Sequence, residues 1–282
     1  MHLSTALKLA KDIMSRFEAS DEAESFAKHV LAYLTGIEVK CLFLHNDQAL
    51  SDDEVQRYLA YVRRGLCGEP ASKICHKRWF WNHEFYVNED VLDPRPDSEV
   101  VIEAVREHIS DPSAAIRILD LGTGSGCLLI TLLHEFRNAY GIGVDLSEKA
   151  LKVAVRNAKS LKVCGRADFI CGCWGQALYG GFDVIVANPP YIPSEEILDL
   201  SDNVKNFDPR LALDGGKDGL ACYREIAKVL GKLLRPDVGA AFFEVGAGQT
   251  PDVSRIFEAQ GYRVKKVFKD LNGLDRCLKV QI

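Results

Sequence analysis

Hydrophobic positions along the chain fall into two regimes. Over residues 3–34, Leu3, Leu7, Ile13, Phe17, Phe26, Val30, Leu31 and Leu34 recur at three- and four-residue spacings, which predicts helices, with Ser20-Asp21 placed to cap a second one. Leu42-Phe43-Leu44 reads as a short apolar connector. Ser51-Asp52-Asp53-Glu54 has the form of a capping box and opens a helix with Val55, Tyr58, Leu59, Val62 and Leu66 inward, closed by Glu69-Pro70. Residues 1–72 are therefore expected to form a small helical domain. A linker over 73–97 follows, with aromatic strands at 79–81 and 85–87 and a turn at Asn82-His83-Glu84. Pro94 and Pro96 fix the chain around Arg95, which this places at a domain seam, and Asp97 or Ser98 is expected to cap a helix near Glu99. From residue 98 to 282 short apolar runs alternate with helical patterns. Strands are predicted at 116–121, 142–145, 168–171, 182–187, 240–245, 262–269 and 276–282, and helices at 127–136, 147–159, 217–234 and 251–260. Strands interleaved with helices in this way predict an α/β doubly wound sheet.

Composition changes little in this picture. With 282 residues and 47% hydrophobic side chains, the chain can bury a full core. The net charge of −5 divides into −3 over residues 1–90 and −2 over 91–282, so neither part has the basic excess of a nucleic-acid-binding domain. No apolar run is long enough to predict a membrane span, and the first residues lack the order of a secretion signal. Nine cysteines, none in a C-x-x-C pair, are read as reduced thiols of a cytoplasmic protein, and no metal site is expected.

The candidate chemistry lies at the ends of predicted strands. The run Phe182–Ala187 reads as a buried parallel strand, and the two prolines of Asn188-Pro189-Pro190-Tyr191 stop it. The Asn188 side-chain carbonyl and the free Pro189 carbonyl can together accept both hydrogens of a planar –NH2 group, with Tyr191 beside it. Taken alone, Asn-Pro-Pro is equally a capping residue before a turn. Its context argues otherwise. Gly122-Thr123-Gly124-Ser125-Gly126 joins a strand to a helix, and Asp145 closes the next strand, where an acidic group can hold a ribose diol. This fits NAD or S-adenosylmethionine. The third glycine comes one residue early for the dinucleotide fingerprint, and Asp120 would repel a pyrophosphate but suit a sulfonium or amino group.

With these motifs in place the chain resembles the PrmC/HemK family of protein-(glutamine-N5) methyltransferases that modify peptide chain release factors. The resemblance also rests on Pro94-Arg95-Pro96-Asp97-Ser98-Glu99, on Ala212 through Leu220, on Glu244-Val245-Gly246 with Gln249, and on Asp270-Leu271-Asn272-Gly273 with Asp275-Arg276. It implies a seven-stranded S-adenosylmethionine methyltransferase sheet ending in an antiparallel hairpin, preceded by a helical partner-docking domain. It further implies methylation of the glutamine in a Gly-Gly-Gln motif by a cytoplasmic, monomeric enzyme. By position, Asp120, Gly122, Thr123, Gly124, Ser125, Gly126, Asp145, Trp174 and Asn188 would contact the cofactor. Asn188, Pro189 and Tyr191 would be catalytic, with Pro190 and Arg95 also meeting the substrate. The chain departs from the family pattern at Cys75, Asp93 and Cys173. Asn-Pro-Pro-Tyr is shared with adenine-N6 methyltransferases of DNA and RNA, the alternative reading. A nucleoside-binding module without catalysis is a second alternative, from which an altered Asn-Pro-Pro-Tyr segment would be expected.

Overall fold

A computed structural model describes residues 1–15 and 20–282. The chain divides into two compact units, residues 1–77 with 201–207, and residues 78–200 with 208–282.

The first unit is helical. Helices α1 (Leu3–Met14) and α2 (Ser20–Thr35) bury Leu3, Ala6, Ala10 and Met14 against Ala23, Phe26, Ala27, Val30 and Leu31. Alanines on both inner faces let the two backbones approach closely. The sequence placed Leu7 and Ile13 in this stripe; both are only half-buried, and Phe17 lies outside the described residues. The connector Val39–His45 is a 3₁₀ helix that turns only Leu42 inward. Helix α3 (Asp52–Leu66) opens with the predicted capping box, Ser51 and Glu54 satisfying each other's backbone N–H groups. Its inward face is Tyr58, Val62 and Gly65, while Leu66, expected inside, faces solvent. Gly65 holds the inner position because a Cβ there would stand 2.3 Å from the Phe26 ring. A short helix, α4 (Ala71–Cys75), buries Cys75, whose thiol is pushed up to about 12 by desolvation. A further short helix, α8 (Asp202–Lys205), belongs to this unit.

The second unit opens with a hairpin, β1 (Arg78–Phe80) and β2 (His83–Phe85), one to two residues earlier than the sequence pattern placed it. The turn is Trp81-Asn82, with Trp81 at φ +54. Two hydrogen bonds and a cation–ring contact fix this unusual conformation for a bulky residue: Glu99 accepts the Trp81 backbone N–H at 2.7 Å, Glu135 accepts the indole N–H at 2.8 Å, and the Arg106 guanidinium lies 5.7 Å from the ring centre. Helix α5 (Glu99–His108) follows a 3₁₀ turn at Pro96–Ser98, and among the described residues no side chain caps it. The expected cap, Ser98, is engaged elsewhere.

The chain then alternates through β3 (Arg117–Leu121), α6 (Cys127–Glu135), β4 (Tyr140–Asp145), α7 (Glu148–Ser160), β5 (Ala167–Cys171) and β6 (Val184–Ala187). It continues with α9 (Ala221–Leu233), β7 (Ala240–Glu244), α10 (Thr250–Ala259), β8 (Arg263–Lys269) and β9 (Asp275–Gln281). The helix expected from residue 217 begins at Ala221, because Gly216 and Gly219 take φ +86 and +73 in a tight turn before it. Seven strands form one sheet in the order β5-β4-β3-β6-β7-β9-β8, parallel except for β9. β6 and β7 are buried on both faces, as their unbroken apolar runs require. Strand order reverses between β3 and β6, so the crevice at their carboxyl ends is where an open α/β sheet takes its ligand.

Candidate active site

Asn188 stands at the end of β6, at that crevice. Its side-chain Nδ2 donates to Ser98 Oγ at 3.0 Å, which is why Ser98 caps nothing. Pro189 is buried, and among the described residues no backbone hydrogen bond is directed at its carbonyl. Tyr191 packs into the core beside Gly246, where a Cβ would stand 3.0 Å from its ring. Burial, with the nearby Glu244 carboxylate, pushes the Tyr191 hydroxyl up to about 12.

The motifs that carried the resemblance converge on this loop. Ile192 N–H donates to Leu213 O at 3.1 Å and Gly215 N–H to Ile192 O at 2.8 Å, a parallel bridge between the two segments. Gly215 is glycine because a Cβ would meet Pro190 O at 2.8 Å. Gln249 Nε2 donates to Tyr191 O at 2.9 Å. Arg276 pairs with Asp270 at 3.1 Å and with Asp97 at 3.3 Å, and its Nη1 donates to Val245 O at 3.4 Å. Distant parts of the sequence thus fix a short loop that two prolines alone would leave without a partner strand.

Beside the loop lies a cavity of about 250 Å³. Gly122, Thr123, Gly124 and Ser125 line it, with Asp145 and Trp174. Gly122 and Thr123 donate to Val144 O at 2.8 and 3.0 Å, and Gly124 N–H donates to Asp145 Oδ2 at 2.8 Å. Ser147 N–H takes the other Asp145 oxygen at 2.8 Å, so the carboxylate is locked while each oxygen keeps a lone pair. At Gly124, φ is +55 and a Cβ would meet only Gly122 O, at 4.0 Å. A side chain there would therefore project into open space at the cavity wall, which is the cradle a nucleoside cofactor requires. Trp174 is held at φ +46 with its ring 3.4 Å from where a Gly122 Cβ would be, and so presents a flat apolar face. Asp90, Asp145 and Asp214 line the wall, and Arg95, the one arginine there among the described residues, is paired with Asp208 at 2.8 Å, a balance that suits a cationic ligand.

Other expected residues sit elsewhere. Asp120 is 1% exposed and outside the cavity lining; its Oδ2 accepts from the Thr123 hydroxyl at 2.7 Å, and desolvation raises its carboxyl to about 7. Gly126 is a packing glycine, since a Cβ would meet Ile130 at 2.9 Å and Ala154 at 3.3 Å. Pro190 lines the cavity, whereas Pro189 and Tyr191 do not. Cys173 lines it together with Cys222, and Asp93 pairs with Arg78 at 3.7 Å. Gln249 and Glu244, which the sequence singled out only through the resemblance, and Ser98, which it also read as a helix cap, prove to bear on the Asn188 loop.

The sheet separates this chain from the dinucleotide-binding proteins: its last two strands are exchanged, with antiparallel β9 inserted between β7 and β8. Together with the Gly124 cradle and the Asn188 loop, this defines the class, an α/β methyltransferase. Family comparison narrows it. The PrmC N-terminal domain model matches residues 6–75 and a methyltransferase domain model matches residues 112–235. A release factor glutamine methyltransferase of Rhodospirillum rubrum is 42% identical over 91% of this chain and 77% of that protein. Its counterpart in Bradyrhizobium diazoefficiens is 38% identical over 93% and 89%. The chain belongs to the release factor glutamine methyltransferase family. The hMettl16 catalytic domain, 15% identical over 89% of this chain and 90% of that one with a TM-score of 0.56, shares the fold.

Proposed function

We propose that this protein methylates the side-chain amide nitrogen (N5) of the glutamine in the Gly-Gly-Gln motif of peptide chain release factors, using S-adenosyl-L-methionine. The observation that carries the reading is the direction of Asn188. With its nitrogen donating to Ser98, its Oδ1 remains as the acceptor at the cavity rim. S-adenosylmethionine supplies, when bound, a methyl group activated by the sulfonium charge. Asp145 would accept the ribose hydroxyls, Gly122 through Ser125 would leave room for the chain, and Trp174 would face the adenine.

The protein's part is then positioning. A glutamine amide is a poor nucleophile because its lone pair is delocalised into the carbonyl. Asn188 Oδ1 would accept one N–H, and the carbonyl of Pro189, which sits between two residues that line the cavity, would accept the other once the amide enters; together they would favour a pyramidal nitrogen and stabilise the positive charge that develops on it. In the transfer the nitrogen would bond to the methyl carbon as the carbon–sulfur bond breaks, the electron pair staying on sulfur so that a neutral thioether leaves, and the nitrogen would then lose one proton to water. No general base is needed. Adenine-N6 transfer would use the same acceptors, but the Rhodospirillum rubrum and Bradyrhizobium diazoefficiens relatives, matched over 91% and 93% of this chain, carry the glutamine name. The cavity lies wholly in the larger unit, which leaves the helical unit, with Phe43 and Leu44 each 67% exposed, to dock the protein partner.

The test is incubation of the full chain with labelled S-adenosylmethionine and a release factor, followed by mass spectrometry. Label on the Gly-Gly-Gln glutamine is expected. Label in bulk DNA or RNA and none on the factor would overturn the reading.

A further inference from the structure

Glu244 ends β7 at 1% exposure, directly behind the Asn188 loop. One of its oxygens, Oε2, has no hydrogen-bond partner among the described residues, while the Ser98 hydroxyl and the Asn188 amide, themselves joined at 3.0 Å, both favour its charged form against the desolvation that opposes it. Among the described residues, Arg276, Asp97, Tyr191, Tyr223, Cys127 and Cys277 are the other ionisable groups that act on it. Of these only Arg276 is cationic, and it is shared with Asp270 at 3.1 Å and Asp97 at 3.3 Å. A carboxylate this enclosed is costly to keep unless it is put to use.

We infer that Glu244, acting through Ser98, is the positioning residue that points Asn188 Oδ1 rather than its nitrogen toward the substrate amide; this rests on the glutamine reading above. Ser98 by itself cannot choose. A hydroxyl both donates and accepts, so it would serve either end of the Asn188 amide. A carboxylate only accepts. Charged Glu244 draws the proton of the Ser98 hydroxyl toward its own side, which leaves the Ser98 oxygen to accept from Asn188 Nδ2 at 3.0 Å. The second Asn188 N–H is likewise drawn toward the carboxylate. Both donors of Asn188 are thereby turned inward and the acceptor outward. The same negative charge polarises the Asn188 amide, placing more electron density on Oδ1 where the substrate nitrogen becomes positive. Protonation of Glu244 removes both effects. Desolvation raises this carboxyl to about 7, so the switch falls within the range in which an enzyme is assayed.

The experiment uses the full chain and an intact release factor, with kcat and cofactor KM followed from about pH 5 to about 9. In the wild type, kcat is expected to rise as Glu244 loses its proton. Glu244→Gln should lower kcat at least roughly 10-fold at the upper end and abolish the rise, with cofactor KM within about 2-fold. Ser98→Ala should lower kcat in the same way and Ser98→Thr, which keeps the hydroxyl, should restore it, so the test survives if the Glu244 variant folds poorly. Wild-type kcat and pH dependence in Glu244→Gln would overturn the inference. So would a loss in Ser98→Ala that Ser98→Thr leaves uncorrected. A wild type that places no methyl on the glutamine would instead remove the functional reading itself.

Discussion

Gln249 reaches across 58 residues of sequence to donate to the Tyr191 carbonyl at 2.9 Å, while its Oε1 accepts from Gly246 N–H at 3.1 Å. One side chain thus ties the loop that carries Asn188 to the end of β7. Gln249→Ala leaves the Tyr191 carbonyl in a half-buried place without its donor, a loss of about 1–3 kcal/mol. The expected outcome is a lower melting temperature and a lower kcat, with cofactor affinity kept, since Gln249 is outside the cavity lining. Calorimetric titration with the cofactor beside a thermal melt distinguishes these effects. Equal loss of cofactor affinity would show that the loop and the cavity are not independent.

Two glycines at positive φ should fail differently when replaced by alanine. At Gly219, φ is +73 and a Cβ would stand 2.3 Å from Tyr191 O and 2.7 Å from Gln249 Nε2. Backbone must shift there, so Gly219→Ala should lower stability strongly and turnover with it. At Gly124 the added methyl meets no such neighbour, and only the left-handed conformation costs, roughly 1–2 kcal/mol. Gly124→Ala should fold, melt a few degrees lower, and bind cofactor poorly because the methyl occupies the cradle. Thermal melts and cofactor titration on both variants test the contrast. Normal cofactor affinity in Gly124→Ala would move the cofactor away from the Gly-rich turn.

The sheet was legible from sequence because its central strands are continuous apolar runs bounded by glycine and proline, a pattern with few competing readings. Seven strand segments were anticipated, with ends shifted by one or two residues, as at β4 and β6. The hairpin was misplaced because Asn82-His83-Glu84 looks like a turn, whereas the turn at Trp81 depends on Glu99, Glu135 and Arg106 from later in the chain. Leu66 was assigned inward on periodicity alone; the ring of Phe26, from another helix, reserves that place for Gly65. Asn188, Asp145 and the Gly-rich turn could be nominated from their chemistry and position at strand ends. Ser98 could not be tied to Asn188, since no local pattern relates residues 90 positions apart. Glu244 was marked only by the resemblance, with no role attached, because burial of a carboxylate follows only from the assembled sheet.

Asn188 and Asp145 should separate turnover from cofactor binding. Asn188→Ala removes an acceptor for the developing charge, which by analogy with charge-stabilising donors is worth about 3–4 kcal/mol, or more than a hundredfold in kcat. Cofactor affinity should change little. Asp145→Asn substitutes a donor for one of two oxygens that already receive Gly124 N–H and Ser147 N–H, each at 2.8 Å. One N–H must then face another, the Gly-rich turn loosens, and cofactor affinity should fall by at least roughly 10-fold while stability falls by about 1–3 kcal/mol. Wild-type turnover in Asn188→Ala would sink its assignment as the amide acceptor.

Burial makes two carboxyl groups costly at neutral pH, and the sign of that cost can be worked out. Desolvation raises Glu244 from its ordinary 4.5 to about 7 and Asp120 from 3.8 to about 7. The folded chain therefore holds protons that the unfolded chain releases. The stability gained by holding them is complete below the ordinary carboxyl range and is lost as pH rises through about 7. Wild-type melting temperature should consequently fall between about pH 5 and about 8 on account of these groups. Glu244→Gln, which is neutral throughout, should lose Glu244's share of that decline and melt above the wild type at the upper end, with the advantage shrinking toward the acid end. That same variant is expected to turn over slowly, so stability and activity should move in opposite directions. Melting curves of the two proteins that run parallel across this range would mean that Glu244 is charged at every pH tested, and that its carboxylate is stabilised by more than Ser98, Asn188 and the shared Arg276.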